Sequence, residues 1–342
     1  MVTTASIAAV ANATADRPRT LGRRLQHLLH SHPWVSPLVI LVLSVGVFTI
    51  INPAFAEPRA ISLLLQQTAV IAALGVGQTL IILTAGIDLS VGAIAILASM
   101  LSAVLAMESG VPGWLAIIIG LITGAAGGLF NGFLVAKLKL PPFIGTLGTL
   151  SIFTAVSLLL TGGASIQAAD LPPVMSAGGT RVPIGPLDLN LGVLVVIAIY
   201  IVVGFALAYT AWGRHVYAVG NDAEAARLSG IRVNRVLLSV YLVAGIIYGV
   251  AAWVLIGRSG AASPNGIVDA NLASITAVVI GGTSLFGGRG GVIGTVLGAL
   301  IVQSFAVGLS LAGVDDQYRV LAVGFLVILA VSADQWIRKV RA

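Results

Sequence analysis

Residues 64–107 read LLQQTAVIAALGVGQTLIILTAGIDLSVGAIAILASMLSAVLAM. Two apolar runs, 64–84 and 91–107, flank a short segment, Gly86 to Gly92, and Asp88 within it is the one charged residue of the whole stretch. Each run is close to the roughly 20 apolar residues that a helix needs to cross the hydrocarbon core of a bilayer. The fold therefore depends on whether this pattern recurs along the chain.

It recurs from Trp34 to Trp336. Polar, Gly or Pro breaks divide the chain into ten apolar spans, at about 35–52, 64–84, 91–107, 114–135, 143–161, 189–210, 236–256, 272–286, 291–312 and 318–334. Composition agrees: of 342 residues, 58% are hydrophobic and only 9% charged, against about 25% charged in a soluble domain. Too few polar residues exist to coat a water-soluble particle, so lipid is the expected solvent. The expected fold is an all-α integral membrane protein, a bundle of about ten transmembrane helices. The chain has no cysteine, which excludes disulfides and thiolate metal sites.

Residues 1–33 differ in character and form an expected N-terminal leader ahead of a membrane domain at 34–338. Arg17, Arg19, Arg23 and Arg24 precede an apolar run that ends at Asn52-Pro53, followed by Ala54-Phe55-Ala56. That order has the outline of a signal peptide, but the basic region is long and the run is near spanning length. An uncleaved first helix is the expectation. His27, His30 and His32 lie in the leader, where metal binding is not expected.

Lys and Arg accumulate on the cytoplasmic side of membrane helices. With the N-terminus inside, that side receives the four leader arginines, Lys137, Lys139, Arg214, Arg227, Arg232, Arg235, Arg289, Arg338, Lys339 and Arg341, fourteen of the eighteen basic residues. Only Arg59, Arg181, Arg258 and Arg319 fall outside. The asymmetry predicts an even number of spans with both termini cytoplasmic. The same scatter through short loops argues for membrane topology and against a nucleic-acid partner. The longest outer loop, about 162–188, is rich in Gly and Pro and reads as irregular; the longest inner loop is about 211–235.

Four features carry functional information. Asp88 in GIDLSVG must face protein, water or a membrane boundary, because a carboxylate in lipid is costly. Gly86 breaks the second helix, and Asp88 or Ser90 is placed to cap the third; a position on a substrate path is the alternative. A proton relay lacks a second carboxylate within the expected spans. Next, Gly86, Leu89 and Gly92 in AGIDLSVG are echoed by Gly282, Leu285 and Gly288 in GGTSLFGG; internal repeats and broken helices often line transporter pathways, although Gly-rich segments also match by chance. Third, Gly120, Gly124, Gly128 and Gly132, and then Gly290, Gly294 and Gly298, recur every four residues, a spacing that lets helices approach closely. Last, the inner loop GNDAEAARLSGIRVNR (220–235) predicts a short helix, with Asn221 and Glu224 at capping-box spacing and Gly230 at its exit. It reads either as a juxtamembrane helix at anionic headgroups or as a docking helix. No G-x-x-x-x-G-K-[ST] loop occurs, so the chain is not expected to bind the phosphates of ATP. No Ser/His/Asp or paired-carboxylate set marks an enzyme.

The segments GQTLIILTAGIDLSVG (77–92), NGFLVAKLKLPPFIGTLGTLSIF (131–153), YAVGNDAEAARLSGIRVNRV (217–236) and TAVVIGGTSLFGGRGGVIGTVLGALI (276–301) occur in this order. Across about 35–338 the chain resembles the permease subunits of ribose-, xylose- and arabinose-type ABC importers. The resemblance implies a multi-pass bacterial inner-membrane protein, two permease copies forming the pore, a cytoplasmic ABC ATPase subunit that binds ATP and Mg, and a periplasmic substrate-binding protein. It also implies that Glu224, Ala225, Ala226 and Gly230 match the EAA-like loop that docks into the ATPase, and that the chain needs no cofactor of its own. A neutral, hydroxyl-rich sugar calls for hydrogen-bonding side chains on its path. The spans offer Gln66, Gln67, Gln78, Thr79, Thr84, Asn131, Thr146, Thr149, Thr276 and Gln303. A proton-coupled transporter and an ABC permease for branched-chain amino acids or nucleosides are the competing readings.

Overall fold

The computed structural model describes residues 34–328, apart from 268, 316, 319, 323, 326 and 327. The expected leader (1–33), the end of the last span and the basic residues Arg338, Lys339 and Arg341 lie outside the described residues.

The described chain is dominated by helices: α1 (Val35–Ile51), α2 (Pro58–Leu83), α3 (Val91–Glu108), α4 (Gly113–Ala136), α5 (Pro142–Thr161), α6 (Leu191–Tyr209), α7 (Ala211–Asn221), α8 (Ala223–Leu228), α9 (Val233–Ser259), α10 (Ala270–Ile280) and α11 (Val292–Leu311). Seven of them, α2 to α6, α9 and α11, are long and apolar enough to cross a membrane. Helices α1 and α10 are apolar but shorter, and the described positions from 317 to 328 are helical.

Helices α2, α3 and α9 form the interior. The second half of α2, from Thr68 to Leu83, is buried on every face. Helices α4, α5 and α6 instead turn a face outward, bearing Ile122, Leu159 and Ile201. A helix at the rim of a bundle in lipid keeps such a face apolar because no water competes for it.

Glycine spacing sets the closest contact. A Cβ on Gly124 would lie 2.4 Å from the Gly245 carbonyl oxygen, and one on Gly128 would lie 2.2 Å from that of Tyr241. The groove expected from Gly124 and Gly128 is thus occupied by α9 at its own small residues, Gly245 and Gly249. Likewise, a Cβ on Gly294 would lie 1.9 Å from the Gly281 carbonyl oxygen, and one on Gly298 equally close to that of Ala277. Backbone-to-backbone approach of this kind replaces the hydrophobic driving force that lipid removes.

Three expectations are corrected. The eighth span shrinks from 272–286 to α10, Ala270–Ile280. At 1.5 Å per residue its 11 residues reach about 17 Å, roughly half of a hydrocarbon core. The apolar run continues past Ile280, but Gly281 is pressed against Gly294 and Gly282 turns at φ 84°, so the chain leaves the helix there. The outer loop is more ordered than expected: β2 (Arg181–Ile184) and β3 (Leu187–Asn190) form a hairpin, and β1 (Ile166–Gln167) pairs with β4 (Ala261–Ala262). Ser62 Oγ accepts from the Asp188 N–H at 3.0 Å, and Gln66 Nε2 donates to the Asp188 carbonyl at 2.7 Å, tying the hairpin to α2. The inner loop holds two helices, α7 and α8, where one was expected. The second is capped by Asp222, not Asn221: Asp222 Oδ1 accepts from the N–H groups of Glu224 (2.9 Å) and Ala225 (3.0 Å), while Asn221 ends α7.

Candidate functional site

The connection from α2 to α3 packs its polar groups inward. Asp88 and Ser90 are fully buried. Asp88 Oδ1 accepts from the Ser90 N–H and from Ser90 Oγ, both at 2.7 Å. Asn131 of α4 donates from Nδ2 to Ser90 Oγ at 2.7 Å and, at 3.3 Å, to Asp88 Oδ2. Thr146 of α5 completes the shell: its Oγ1 accepts from the Leu89 N–H at 3.1 Å and donates to the Pro142 carbonyl at 2.8 Å. Two helices, α4 and α5, are thereby pinned to the loop that joins α2 to α3.

Neither Asp88 nor Ser90 caps α3 in the expected way. Ser90 occupies the N-cap position without a side-chain cap bond, and Asp88 satisfies only the Ser90 N–H before the helix starts. The first-turn N–H of Gly92 is taken by Asn271 Oδ1 of α10 at 2.7 Å. The cap comes from the short helix 179 residues later, so local spacing carried no sign of it. Gly92 leaves room for the amide: a Cβ there would meet Asn271 Oδ1 at 2.9 Å.

Other polar side chains are scattered. Gln78, Thr79, Asn131, Thr146, Thr149 and Thr276 are all fully buried, whereas Gln66, Gln67 and Gln303 are half-buried. Most hydroxyls bond back along their own helix, as Thr79 to Gly75 (2.7 Å) and Thr276 to Leu272 (2.6 Å). Thr79 also meets Thr295 of α11 at 2.6 Å between hydroxyls. Among these polar residues, Asn131 and Thr146 join the Asp88 shell.

Two buried tyrosines of α9, Tyr241 and Tyr248, were not singled out by the sequence. Their hydroxyls, both polar atoms of the Gln78 amide and Asn131 Oδ1 have no hydrogen-bond partner among the described residues. Glycines make space for both rings: a Cβ on Gly77 would lie 2.3 Å from the ring of Tyr248, and one on Gly86 would lie 3.3 Å from the Tyr241 hydroxyl oxygen.

The echoed segments meet. The Gly288 N–H donates to the Leu83 carbonyl at 3.0 Å, so the loop 281–291 crosses the end of α2 beside Gly86. Gly282 and Gly288 both take left-handed backbone angles, φ 84° and 69°, a region that glycine enters without penalty.

At the same end, α8 stands exposed, with only Ala226 of it buried. Its exit is a Schellman turn: Gly230 N–H bonds the Arg227 carbonyl and Ile231 N–H the Ala226 carbonyl, both at 3.0 Å. Gly230, at φ 86°, fills the left-handed position. Ala225 is exposed, and Arg227 donates to both oxygens of Glu224, from Nη2 to Oε1 and from Nε to Oε2 at 3.0 Å. That hydrogen bonding and charge hold the Glu224 carboxyl below the ordinary carboxylate range. Leu228, beside them, is 78% exposed. Glu224, Ala225 and Leu228 together present a capped, partly apolar surface that no other described residue covers.

Comparison with known proteins bears on what such an arrangement is for. Residues 60–331 match the family model described as a branched-chain amino acid transport system permease component. The chain is 47% identical to the fructose import permease protein of Rhizobium meliloti, over 95% of this chain and 91% of that one. It is 38% identical to the ribose import permease protein of Bacillus subtilis (88% and 92% covered) and 32% identical to the xylose transport system permease protein of Escherichia coli (82% and 86% covered). No solved structure matches the chain.

Proposed function

From the premise that the chain belongs to the family of transport-system permease components that includes the fructose, ribose and xylose import permeases, we propose that it is the membrane-spanning subunit of an ABC importer for a monosaccharide. In this reading the seven long helices, the two shorter ones and the helical positions after 317 are ten spans with both ends in the cytoplasm of a bacterial inner membrane. The charge distribution supports that orientation. Lys137, Lys139, Arg214, Arg227, Arg232, Arg235 and Arg289 lie at the end that carries α8, against Arg59, Arg181 and Arg258 at the other.

The observation that carries the proposal is near-full-length similarity to sugar permeases combined with an exposed, capped helix at the basic end. The chain's partner there is a cytoplasmic ABC ATPase, which binds ATP and Mg; Glu224, Ala225, Ala226 and Gly230 form the docking element. The chain itself needs no cofactor. A periplasmic binding protein delivers the sugar to the opposite end, and a second permease copy completes the pore.

The family description names branched-chain amino acids. A zwitterion needs a paired countercharge along its path, and among the described residues both ion pairs, Arg181–Asp188 and Arg227–Glu224, are solvent-exposed and lie outside the seven long helices. Three sugar permeases across most of the chain favour a neutral substrate. A proton-coupled transporter would need a second buried carboxylate near Asp88. The direct test is uptake of labelled fructose, ribose and xylose, with leucine as comparison, into proteoliposomes holding the chain, its ATPase and its binding protein. ATP-dependent sugar uptake is the expected result; uptake driven by a proton gradient without the ATPase would overturn the assignment. Glu224→Lys is expected to abolish ATPase copurification while leaving the chain folded.

A further inference from the structure

We infer that Gly220, Gly287 and Gly288 form a three-way backbone joint that couples the docking helix α8 to both echoed loops, making them positioning residues for energy transfer; this rests on the transport function proposed above. Gly220 lies three residues before α8 begins. A Cβ on Gly220 would fall 1.7 Å from the Leu83 carbonyl oxygen and 2.7 Å from the Gly288 nitrogen. One on Gly287 would fall 2.6 Å from the Gly220 carbonyl oxygen and 2.8 Å from the Ala85 nitrogen. Gly288 N–H bonds Leu83, and Gly288 also abuts Asn221, where a Cβ would sit 3.0 Å from that residue's Cα. Tyr217, one turn earlier on α7, donates from its hydroxyl to the Gly290 carbonyl at 2.9 Å.

Three chain segments thus touch backbone to backbone: the end of α2, the end of α7, and the loop between α10 and α11. Contacts without side chains between them are stiff, because no rotamer can absorb a displacement; packed interiors transmit strain for the same reason. Ala85 is held at φ 61°, a left-handed angle unusual for a residue with a Cβ, so the α2 side of the joint is pinned as well. A displacement of α8 passes through Asp222 and Asn221 directly into this contact. From there it reaches α2 and α11, which are joined again higher up by the Thr79–Thr295 hydroxyl contact. This gives the echo between GIDLSVG and GGTSLFGG a role: both loops present glycine or tight turns to the same contact, one on each side of it.

The test uses the full complex in proteoliposomes, with labelled fructose and ribose as probes and sugar transported per ATP hydrolysed as the readout. Gly220→Ala forces the joint apart; overpacking of this kind is expected to lower the transport-to-hydrolysis ratio by about tenfold or more. Tyr217→Phe removes one hydrogen bond and little else, and is expected to lower the ratio by about fivefold, the worth of one typical bond. Both variants should keep the ATPase bound, and its hydrolysis rate unchanged. A ratio equal to wild type in Tyr217→Phe, or hydrolysis and uptake falling in parallel in both variants, would overturn the inference. If Gly220→Ala is not recovered folded, Tyr217→Phe decides alone. Absence of ATP-dependent uptake of either sugar by the wild-type complex would instead strike the proposed function, and is seen before any variant is measured.

Discussion

Replacing Asp88 tests whether its buried carboxylate serves architecture or transport chemistry. Its Oδ1 holds the Ser90 N–H and the Ser90 hydroxyl at 2.7 Å each, and Oδ2 receives only the longer 3.3 Å contact from Asn131. Asp88→Ala strands the Ser90 N–H in a buried position, which costs about 1–3 kcal/mol, and forfeits the hydroxyl bond, worth about 1 kcal/mol more. Relief of carboxylate burial offsets part of that, leaving a net loss of roughly 1–3 kcal/mol. Asp88→Asn keeps the oxygen that does most of the bonding. Its new N–H₂ would face the Asn131 amide nitrogen, so the longer 3.3 Å contact is lost while Asn131 keeps its 2.7 Å bond to Ser90 Oγ. The expected loss for Asn is below about 1 kcal/mol. In detergent, thermal unfolding of the full chain should fall by roughly 2–6 °C for Ala and at most about 2 °C for Asn, using about 2 °C per kcal/mol for a chain of this size. Asp88→Asn should also retain sugar uptake. Equal damage from both variants would refute the hydrogen-bond argument, and a stably folded Asp88→Asn protein without uptake would place the charge itself in the mechanism.

The α4–α9 seam gives a sharper contrast. Gly124→Ala drives a methyl to 2.4 Å from the Gly245 carbonyl oxygen and should cost about 3 kcal/mol or more, seen as loss of folded protein in the membrane. Gly148→Ala on α5, where nothing lies within 4 Å, should be neutral or stabilise by about 0.5–1 kcal/mol through helix propensity. Asn271→Ala removes the cap from Gly92 and should cost about 1–2 kcal/mol, while Asn271→Asp, which retains an acceptor oxygen, should lose less in the same thermal assay. Because Arg227 holds the Glu224 carboxyl below its ordinary range, their exposed pair persists through mild acid and is lost as pH falls through the lowered value. ATPase copurification should therefore be the same at pH 7 and pH 5.

How much of this was legible follows from where the information lies. Hydropathy is local, so ten apolar segments were readable, and helix bounds agree to a few residues for α3, α4, α5 and α11. Gly124 and Gly128 announced a close approach because spacing of four puts them on one helix face. What they could not announce is the partner, since Gly245 and Gly249 sit on a helix more than a hundred residues away. The end of α10 failed for a related reason. Apolar character runs on to Leu285 and Phe286, but Gly281 and Gly294 need each other's backbone space, and tertiary packing overrides the local pattern. Asp222 was missed as a cap because the capping-box spacing of Asn221 and Glu224 drew the boundary one residue early, into a turn that α7 still holds.

The same reasoning explains why pathway residues were the least legible part. A polar side chain in an apolar span has three ways to satisfy its groups: its own helix, a neighbouring helix, or the translocation path. Sequence cannot separate them, because a hydroxyl that bonds four residues back needs no other residue to reveal it. Thr79, Thr149 and Thr276 turn out to be held along their own helices, and Asn131 and Thr146 by the Asp88 loop. Among the described residues, Gln78, Tyr241 and Tyr248 keep unpaired polar atoms in the interior. Unpaired buried groups are costly, so a bundle that must change shape has a reason to keep them where helices shift. They lie on α2 and α9, and the α2 end is the one gripped by Gly220 and Gly288. A movement delivered at that joint would therefore act first on the helix whose polar groups have most to gain from a new set of neighbours.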